Sequence, residues 1–397
     1  MDKKFYEVSA REFNPNYKKL IERKEEIYKE NELRSPFERD YTRIIHSTAY
    51  RRLKHKTQVF YNVESDHVCT RMEHVMHVES VSYTIAKNLG LNEELTRAIA
   101  TGHDLGHAPF GHYGEEVISS LYKEHVDGDF WHEKNGLYFA DNVELLPDDF
   151  NELKNLNLTY AVRDGIISHC GELDQNTLKP RKELIDLDEF DSKGKFNSAT
   201  FEGCVVKISD KIAYLGRDIE DALTLNFLSE KDLMELSKIL GVKRIVNTTN
   251  LMSTLIKDVC ESSNPDKGIS ISDEKSEMLN KIKRFNYEYI YGNPKFTPFK
   301  NYAKLIIIEL FNYYASLFDG ENTLSKIESK KSFSVNNVSY FYAYLIKYAK
   351  GIETEYKRNK KIYDLTDKKS YYRAVLDYIS GMTDKFAVSS FNELITY

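Results

Sequence analysis

Apolar residues recur along this chain at three- and four-residue spacing with few interruptions, a pattern that predicts helix almost throughout. Ser35-Pro36-Phe37-Glu38 opens the first clear helix, with Ser at the N-cap, Pro at N1 and Glu at N3, and its pattern runs to about residue 53. Residues 56–63, rich in β-branched and aromatic side chains, read as a short extended segment or hairpin. Helix follows over about 70–89 and stops at Gly90, and Asn92 caps the next, which carries Ala98-Ile99-Ala100 into His103-Asp104. Pro109 and Gly111 break the pattern before helix resumes over about 113–125. Further helices are predicted near 132–145, 158–169 and 200–225, with a polar loop at 188–198. From 230 to 397 the pattern stays helical, rich in Tyr, Phe, Lys and Glu, and nothing repeats at the fixed period of a solenoid. The expectation is a mostly α protein: an arm over 1–34, a catalytic helical core over 35–225, and a helical half over 226–397 packed on that core as one compact unit.

Composition narrows this little but excludes much. Only 18 Gly and 8 Pro in 397 residues argue against a turn-rich all-β fold, and 41% hydrophobic residues suffice for a sizeable core. Lys and Arg number 56 against 62 Asp and Glu, so no whole-chain basic field marks a nucleic-acid protein, and an anionic ligand needs a locally positive pocket. Cys69, Cys170, Cys204 and Cys260 form no CxxC pair, which disfavours a zinc ribbon or disulfide framework. The first residues carry no apolar signal region, and the run Leu305-Ile306-Ile307-Ile308 is cut short by Glu309. A soluble, cytoplasmic protein without a membrane segment is expected.

The chemistry concentrates in His103-Asp104-Leu105-Gly106-His107-Ala108-Pro109-Phe110-Gly111-His112. Adjacent imidazole and carboxylate suit Mn²⁺, Fe²⁺, Zn²⁺ or Mg²⁺ and leave coordination positions open. Alone, the His-Asp pair is weak evidence, because any helix can contain such a pair by chance and a satisfied core or surface histidine competes with a ligand. Its companions change that reading: His74 on the preceding helix and Asp210 on a later one complete the order His…His-Asp…Asp.

In this order, and in further segments, the chain resembles the HD-domain deoxynucleoside triphosphate triphosphohydrolases, the dGTPase-like dNTPases. The segments include Ser35-Pro36-Phe37-Glu38-Arg39-Asp40, Arg43-Ile44-Ile45-His46-Ser47, Arg51-Arg52-Leu53, Lys56-Thr57-Gln58-Val59-Phe60 and Thr70-Arg71-Met72-Glu73-His74. The likeness continues through 103–115, 158–166 and 208–223, and more weakly to Tyr291-Gly292-Asn293-Pro294.

The resemblance implies metal ligands His74, His103, Asp104 and Asp210, and a divalent Mn²⁺, Mg²⁺, Co²⁺ or Fe²⁺ ion. On the residues alone His77 competes with His74; the family pattern aligns with His74, and it more often has a carboxylate where His77 stands. The implied acid/base pair is His112 with Glu115, neighbours at i,i+3 if helix starts at Gly111, and His132 is implied as a proton donor to the leaving group. Arg71, His107 and Lys211 are the implied cations for the triphosphate. Gln58, Asn135, Tyr214 and Asp218 are the implied sugar and pocket contacts. Asp210, Tyr214 and Asp218, at i, i+4 and i+8, share one helix face. A tyrosine against C2′ would leave no room for a 2′-hydroxyl; the bland reading is a core phenol and a solvated face.

The expected reaction is water attack at the α-phosphate of a dNTP, dGTP among the substrates, releasing deoxynucleoside and inorganic triphosphate. Homo-oligomers, and activation by a second dNTP or single-stranded DNA, are implied by parts of the family. The competing readings are an HD-domain phosphohydrolase of nucleoside monophosphates or cyclic nucleotides, and a weakly catalytic nucleotide sensor or single-strand binder. Tyr287, Tyr289 and Tyr291 read as packing or interface residues before they read as a base stack, and the basic run at 357–361 as a solvated helix end.

Overall fold

Ser35 caps the first long helix through its side chain, which accepts the Glu38 N–H at 3.1 Å, a contact worth about 1 kcal/mol. A computed structural model of the chain describes residues 4–26, 33–61, 65, 67–148, 151–170, 175–242, 248–331, 337–350 and 361–395. After a single turn, α1 (Tyr17–Leu20), the predicted helix over 35–53 is found as two, α2 (Pro36–His46) and α3 (Thr48–Arg52). Ser47 divides them: its hydroxyl donates to the Ile44 carbonyl at 2.7 Å and accepts the Tyr50 N–H at 3.2 Å, so it ends one helix and caps the next. The segment from residue 56 forms no strand among its described residues. Thr57 makes one isolated antiparallel bridge, to Thr70, and its N–H donates to Asp384. Residues 62 and 63 of that segment, and 357–360 of the basic run, lie outside the described residues.

Thr70 and Glu73 form a reciprocal capping box that opens α4 (Arg71–Leu89), and Gly90, in the left-handed region, ends it. Asn92 caps α5 (Glu93–Gly102) by accepting the Leu95 N–H, and α6 (Gly111–His125), α7 (His132–Tyr138) and α8 (Tyr160–Ser168) follow. The long α9 (Phe201–Thr224) packs on both α4 and α5. Beyond it come α10 (Glu230–Leu240), α11 (Thr248–Ser262), α12 (Asp273–Asn286), α13 (Thr297–Ala315), α14 (Thr323–Lys330), α15 (Asn337–Tyr348), α16 (Lys368–Ser380) and α17 (Asp384–Ile395). The described strands are two short antiparallel pairs: Leu146–Pro147 with Leu153–Lys154, and Thr177–Leu178 with Ile269–Ser270. The fold is mostly α, as the periodicity predicts.

Buried apolar side chains form two clusters. One gathers α5, α8, α13 and α15 to α17; the other gathers α4, α9, α11 and α12. Both α13 and α16 lie against α6, so the later helices pack on the earlier ones. The first turns of α4, α6 and α7 and the end of α5 meet the middle of α9, and polar residues that no apolar core would accept are buried there. No described helix is long and apolar enough to cross a membrane.

Candidate metal centre and active site

His74 occupies the first turn of α4, and His103 and Asp104 follow the last turn of α5. Asp210 lies on α9, which packs against both helices. Ligand atoms of His74, His103 and Asp210 all lie within 4.8 Å of one another. His74 Nε2 is 3.0 Å from Asp210 Oδ1, and His103 Nε2 is 3.4 Å from Asp104 Oδ1. The His103 ring has a defined role: Nδ1 lies 2.7 Å from the Ala100 carbonyl and donates its proton there. Its lone pair therefore sits on Nε2, which is fully buried and has no hydrogen-bond partner. An unsatisfied imidazole lone pair facing two carboxylates fits a divalent cation. Burial works against ionising Asp104, yet the Arg71 guanidinium and the hydrogen bond with His107 help to hold its carboxyl well below the usual range. Asp210 is likewise brought down to about 2 against its burial, chiefly by its hydrogen bond with His74.

The backbone delivers the next group through a sharp reversal. Phe110, fully buried, and Gly111 both lie in the left-handed region, at φ 64° and 61°. For Phe this costs on the order of 1–2 kcal/mol, and its N–H is held by the Asp384 carboxylate at 2.9 Å. The reversal starts α6 at Gly111 and brings the His112 ring to 5.3 Å from that of His107. Glu115, one turn on, is buried and forms the hub of the second cluster. Its Oε2 accepts from His132 Nδ1 at 2.9 Å and lies 3.7 Å from His112 Nδ1, while its Oε1 pairs with Lys193 Nζ at 2.8 Å. The closest imidazole to Glu115 is thus that of His132, rather than that of its helix neighbour His112, which is largely exposed. Burial disfavours the His132 cation, but Glu133 and Glu115 outweigh it and raise the ring to about 9. The histidine rings form a continuous path: His74 to His103 at 5.5 Å, His103 to His169 at 5.0 Å, His169 to His132 at 5.6 Å, and His132 stacked on His107 at 3.9 Å.

Comparison with known proteins gives this geometry its family. A model of the HD domain matches residues 71–215, and one of the phosphohydrolase-associated domain matches 323–393. A deoxyguanosinetriphosphate triphosphohydrolase-like protein of Caldanaerobacter subterraneus subsp. tengcongensis is 36% identical over 364 residues, 91% of this chain and 86% of that protein. A relative of the same description in Clostridium tetani is 32% identical over 389 residues, 96% of this chain and 92% of that protein. The chain belongs to the HD-domain dGTP triphosphohydrolase-like family. This makes it a phosphohydrolase of the dNTPase family, and HD domains bind divalent metals, which the His/Asp clusters here are able to hold.

Within this HD-domain protein the remaining residues singled out from the sequence take varied places. Arg71 is buried and donates from Nη1 to Asp104 Oδ2 at 2.9 Å and from its other nitrogens to the Thr57 and Gln58 carbonyls. His107 Nε2 is 3.1 Å from Asp104 Oδ1. Asn135 donates to the Gly106 carbonyl at 2.7 Å and so braces the turn that carries His103 and His107. Gln58 Oε1 is buried without a hydrogen-bond partner. Asp218 accepts the Tyr291 hydroxyl at 2.5 Å, and its burial raises the carboxyl to about 7. Lys211 and Tyr214 line a cavity with Asn176, Ile271 and Lys283. Sequence reasoning missed His169, Glu133 and Lys193. His169, whose Nδ1 lies 2.6 Å from the Ile166 carbonyl, forms a second possible ligand group with His103 and Asp104. No spacing signals it: it follows a helix with no second histidine in the local sequence.

Proposed function

We propose that this protein hydrolyses dNTPs, dGTP among them, to deoxynucleoside and inorganic triphosphate by water attack at the α-phosphorus. The observation that carries the reading is the chain of overlapping clusters that links His74, His103 and Asp210 through Asp104 to the Glu115–His132 pair. A Mn²⁺, Mg²⁺, Co²⁺ or Fe²⁺ ion held by His74, His103, Asp104 and Asp210 supplies, when bound, positive charge to the α-phosphate oxygens.

The chain's own groups account for the proton movements. Glu115 fixes the Nδ1 proton of His132 and stabilises its cation, so His132 Nε2 carries the proton that the departing 5′-oxygen requires. His112, at the exposed side of Glu115, takes the proton lost by the attacking water. One P–O bond forms and the P–O5′ bond breaks, with no net change in protons on the pair. The Asp210–Tyr214–Asp218 face of α9 and Gln58 hold the deoxyribose, and Tyr214 excludes a 2′-hydroxyl. Positioning and fixed charge supply most of the acceleration.

The test is to incubate metal-stripped protein with each dNTP and with GTP, adding Mn²⁺, Mg²⁺ or Co²⁺, and to resolve products by ion exchange and ³¹P NMR. Deoxynucleoside plus intact triphosphate, with GTP untouched, is the expected result. Release of pyrophosphate or phosphate would move the attack to another phosphorus and reject the mechanism.

A further inference from the structure

A triphosphate has to be met by cations with room to reach it, and burial restricts which side chains qualify. Arg71, only 2% exposed, holds Asp104, and His107, also 2% exposed, is confined between Asp104 and the stacked ring of His132. Lys193 is placed differently. It belongs to the polar loop before α9, whose base is anchored by Phe190, buried and packed edge-on against Phe196 at 5.1 Å. Lys195 folds back to Asp191 Oδ2 at 2.7 Å and to the Glu189 carbonyl at 3.3 Å, and its N–H donates to the Ser192 carbonyl at 3.4 Å. These contacts close a tight turn around Lys193. From it the ammonium reaches Glu115 Oε1 at 2.8 Å while 43% of the side chain stays exposed. Lys193 and His112 are therefore partners of the buried Glu115 carboxylate that themselves reach solvent.

We propose that Lys193 is a substrate-binding residue that contacts the triphosphate beside the Glu115–His132 pair, an inference that rests on the dNTP hydrolysis proposed above. An ammonium has three donors and acts as a compact point charge, so it is able to hold Glu115 and a phosphate oxygen together. The Glu115 contact keeps the cation at the mouth before substrate arrives, which lowers the ordering cost of meeting the phosphate. The loop over 188–198 thereby becomes part of the binding site, although no residue of it carries a family motif.

The experiment compares the full-length protein with Lys193→Met and Lys193→Arg. It measures kcat and KM for dGTP, inhibition by inorganic tripolyphosphate, and, by calorimetry without nucleotide, tripolyphosphate binding. Lys193→Met is expected to raise KM and weaken tripolyphosphate binding about tenfold or more, the usual loss for one charge-assisted contact, with Lys193→Arg retaining most of both. Unchanged KM and unchanged tripolyphosphate affinity in Lys193→Met would overturn the proposal while leaving dNTP hydrolysis standing. A fall in kcat alone would also overturn it, since Lys193 would then only position Glu115. If the wild-type protein releases no triphosphate, the hydrolytic reading fails separately. Calorimetry still decides Lys193: tripolyphosphate binding lost in Lys193→Met upholds the contact, and equal binding refutes it.

Discussion

Asp104 and Asp210 stand a few ångströms apart and differ in what their removal would do. Asp104 is buried against the equally buried Arg71, so Asp104→Ala strands a guanidinium in the interior, a loss of about 3–5 kcal/mol, and confounds metal binding with folding. Asp210 is 19% exposed and its close partner is His74, which can stay neutral without it. Asp210→Asn is therefore the cleaner probe. It should melt within a few degrees of wild type yet lose at least about 100-fold in Mn²⁺ affinity, measured by titration calorimetry. Wild-type metal content in that variant would contradict its role as a ligand. His132 makes a second prediction at this scale. Its pKa is raised to about 9, so the cation proposed as the donor to the 5′-oxygen is present through neutrality and disappears as pH climbs through about 9. The kcat profile should fall on that alkaline side, and His132→Gln should lower kcat by about 10²–10⁴ and flatten the limb. An alkaline limb unchanged in His132→Gln would assign the acid elsewhere. The imidazoles of His103 and His107 were legible in the sequence because they crowd one decapeptide. Lys193 was not, because it meets Glu115 across 78 residues and no local period reports such a contact.

The helices were read with fair accuracy wherever a cap marks them: Ser35 with Glu38, Asn92 before Leu95, and the halt at Gly90. Ser47 was overlooked because a serine within an amphipathic pattern does not disturb its apolar spacing, yet its hydroxyl serves both flanking helices. The reversal before α6 was legible as a break, while its left-handed pair was not, since Phe is a poor prior for that backbone. Close packing between elements is equally silent in sequence. A Cβ on Gly106 would lie 2.1 Å from the Gly136 nitrogen and 2.2 Å from the His132 carbonyl oxygen, both backbone atoms of α7. Gly106→Ala must therefore push α7 away from the turn that carries His103 and His107. A loss of about 1–3 kcal/mol in a denaturant melt is expected, together with a fall in turnover larger than that stability loss explains. A fully active Gly106→Ala would mean that this contact does not set the site.

Across the whole molecule, buried ionisable groups make stability depend on pH in a direction that can be worked out. Burial raises Asp218 to about 7 from 3.8, and acidic neighbours raise His132 to about 9 from 6.5 against its burial. Both groups bind protons more readily folded than unfolded, so the Asp218 contribution is lost as pH rises from about 4 to 7 and that of His132 as pH rises from about 6.5 to 9. His169 is the opposite case: burial lowers it to about 4, so the unfolded chain takes up that proton first once pH drops below 6.5. The melting temperature of metal-free protein should therefore fall as pH rises from about 6.5 to 9, and His132→Gln should flatten that slope. A maximum at pH 8 or above would show that other groups dominate. This balance was invisible in the sequence, where an aspartate on a helix face reads as solvated. The fold class was visible, because helical spacing survives without knowledge of partners. One feature of the assembly reaches furthest. Lys56 donates to both the His107 and Ser380 carbonyls, and Asp384 holds Thr57 and Phe110, across separations of up to 327 residues. A chain emerging from the ribosome thus carries every proposed metal ligand by Asp210, long before α17 exists to brace the turns that present them. A half-made chain should therefore hold the parts of a phosphohydrolase without the contacts from α16 and α17 that brace their arrangement.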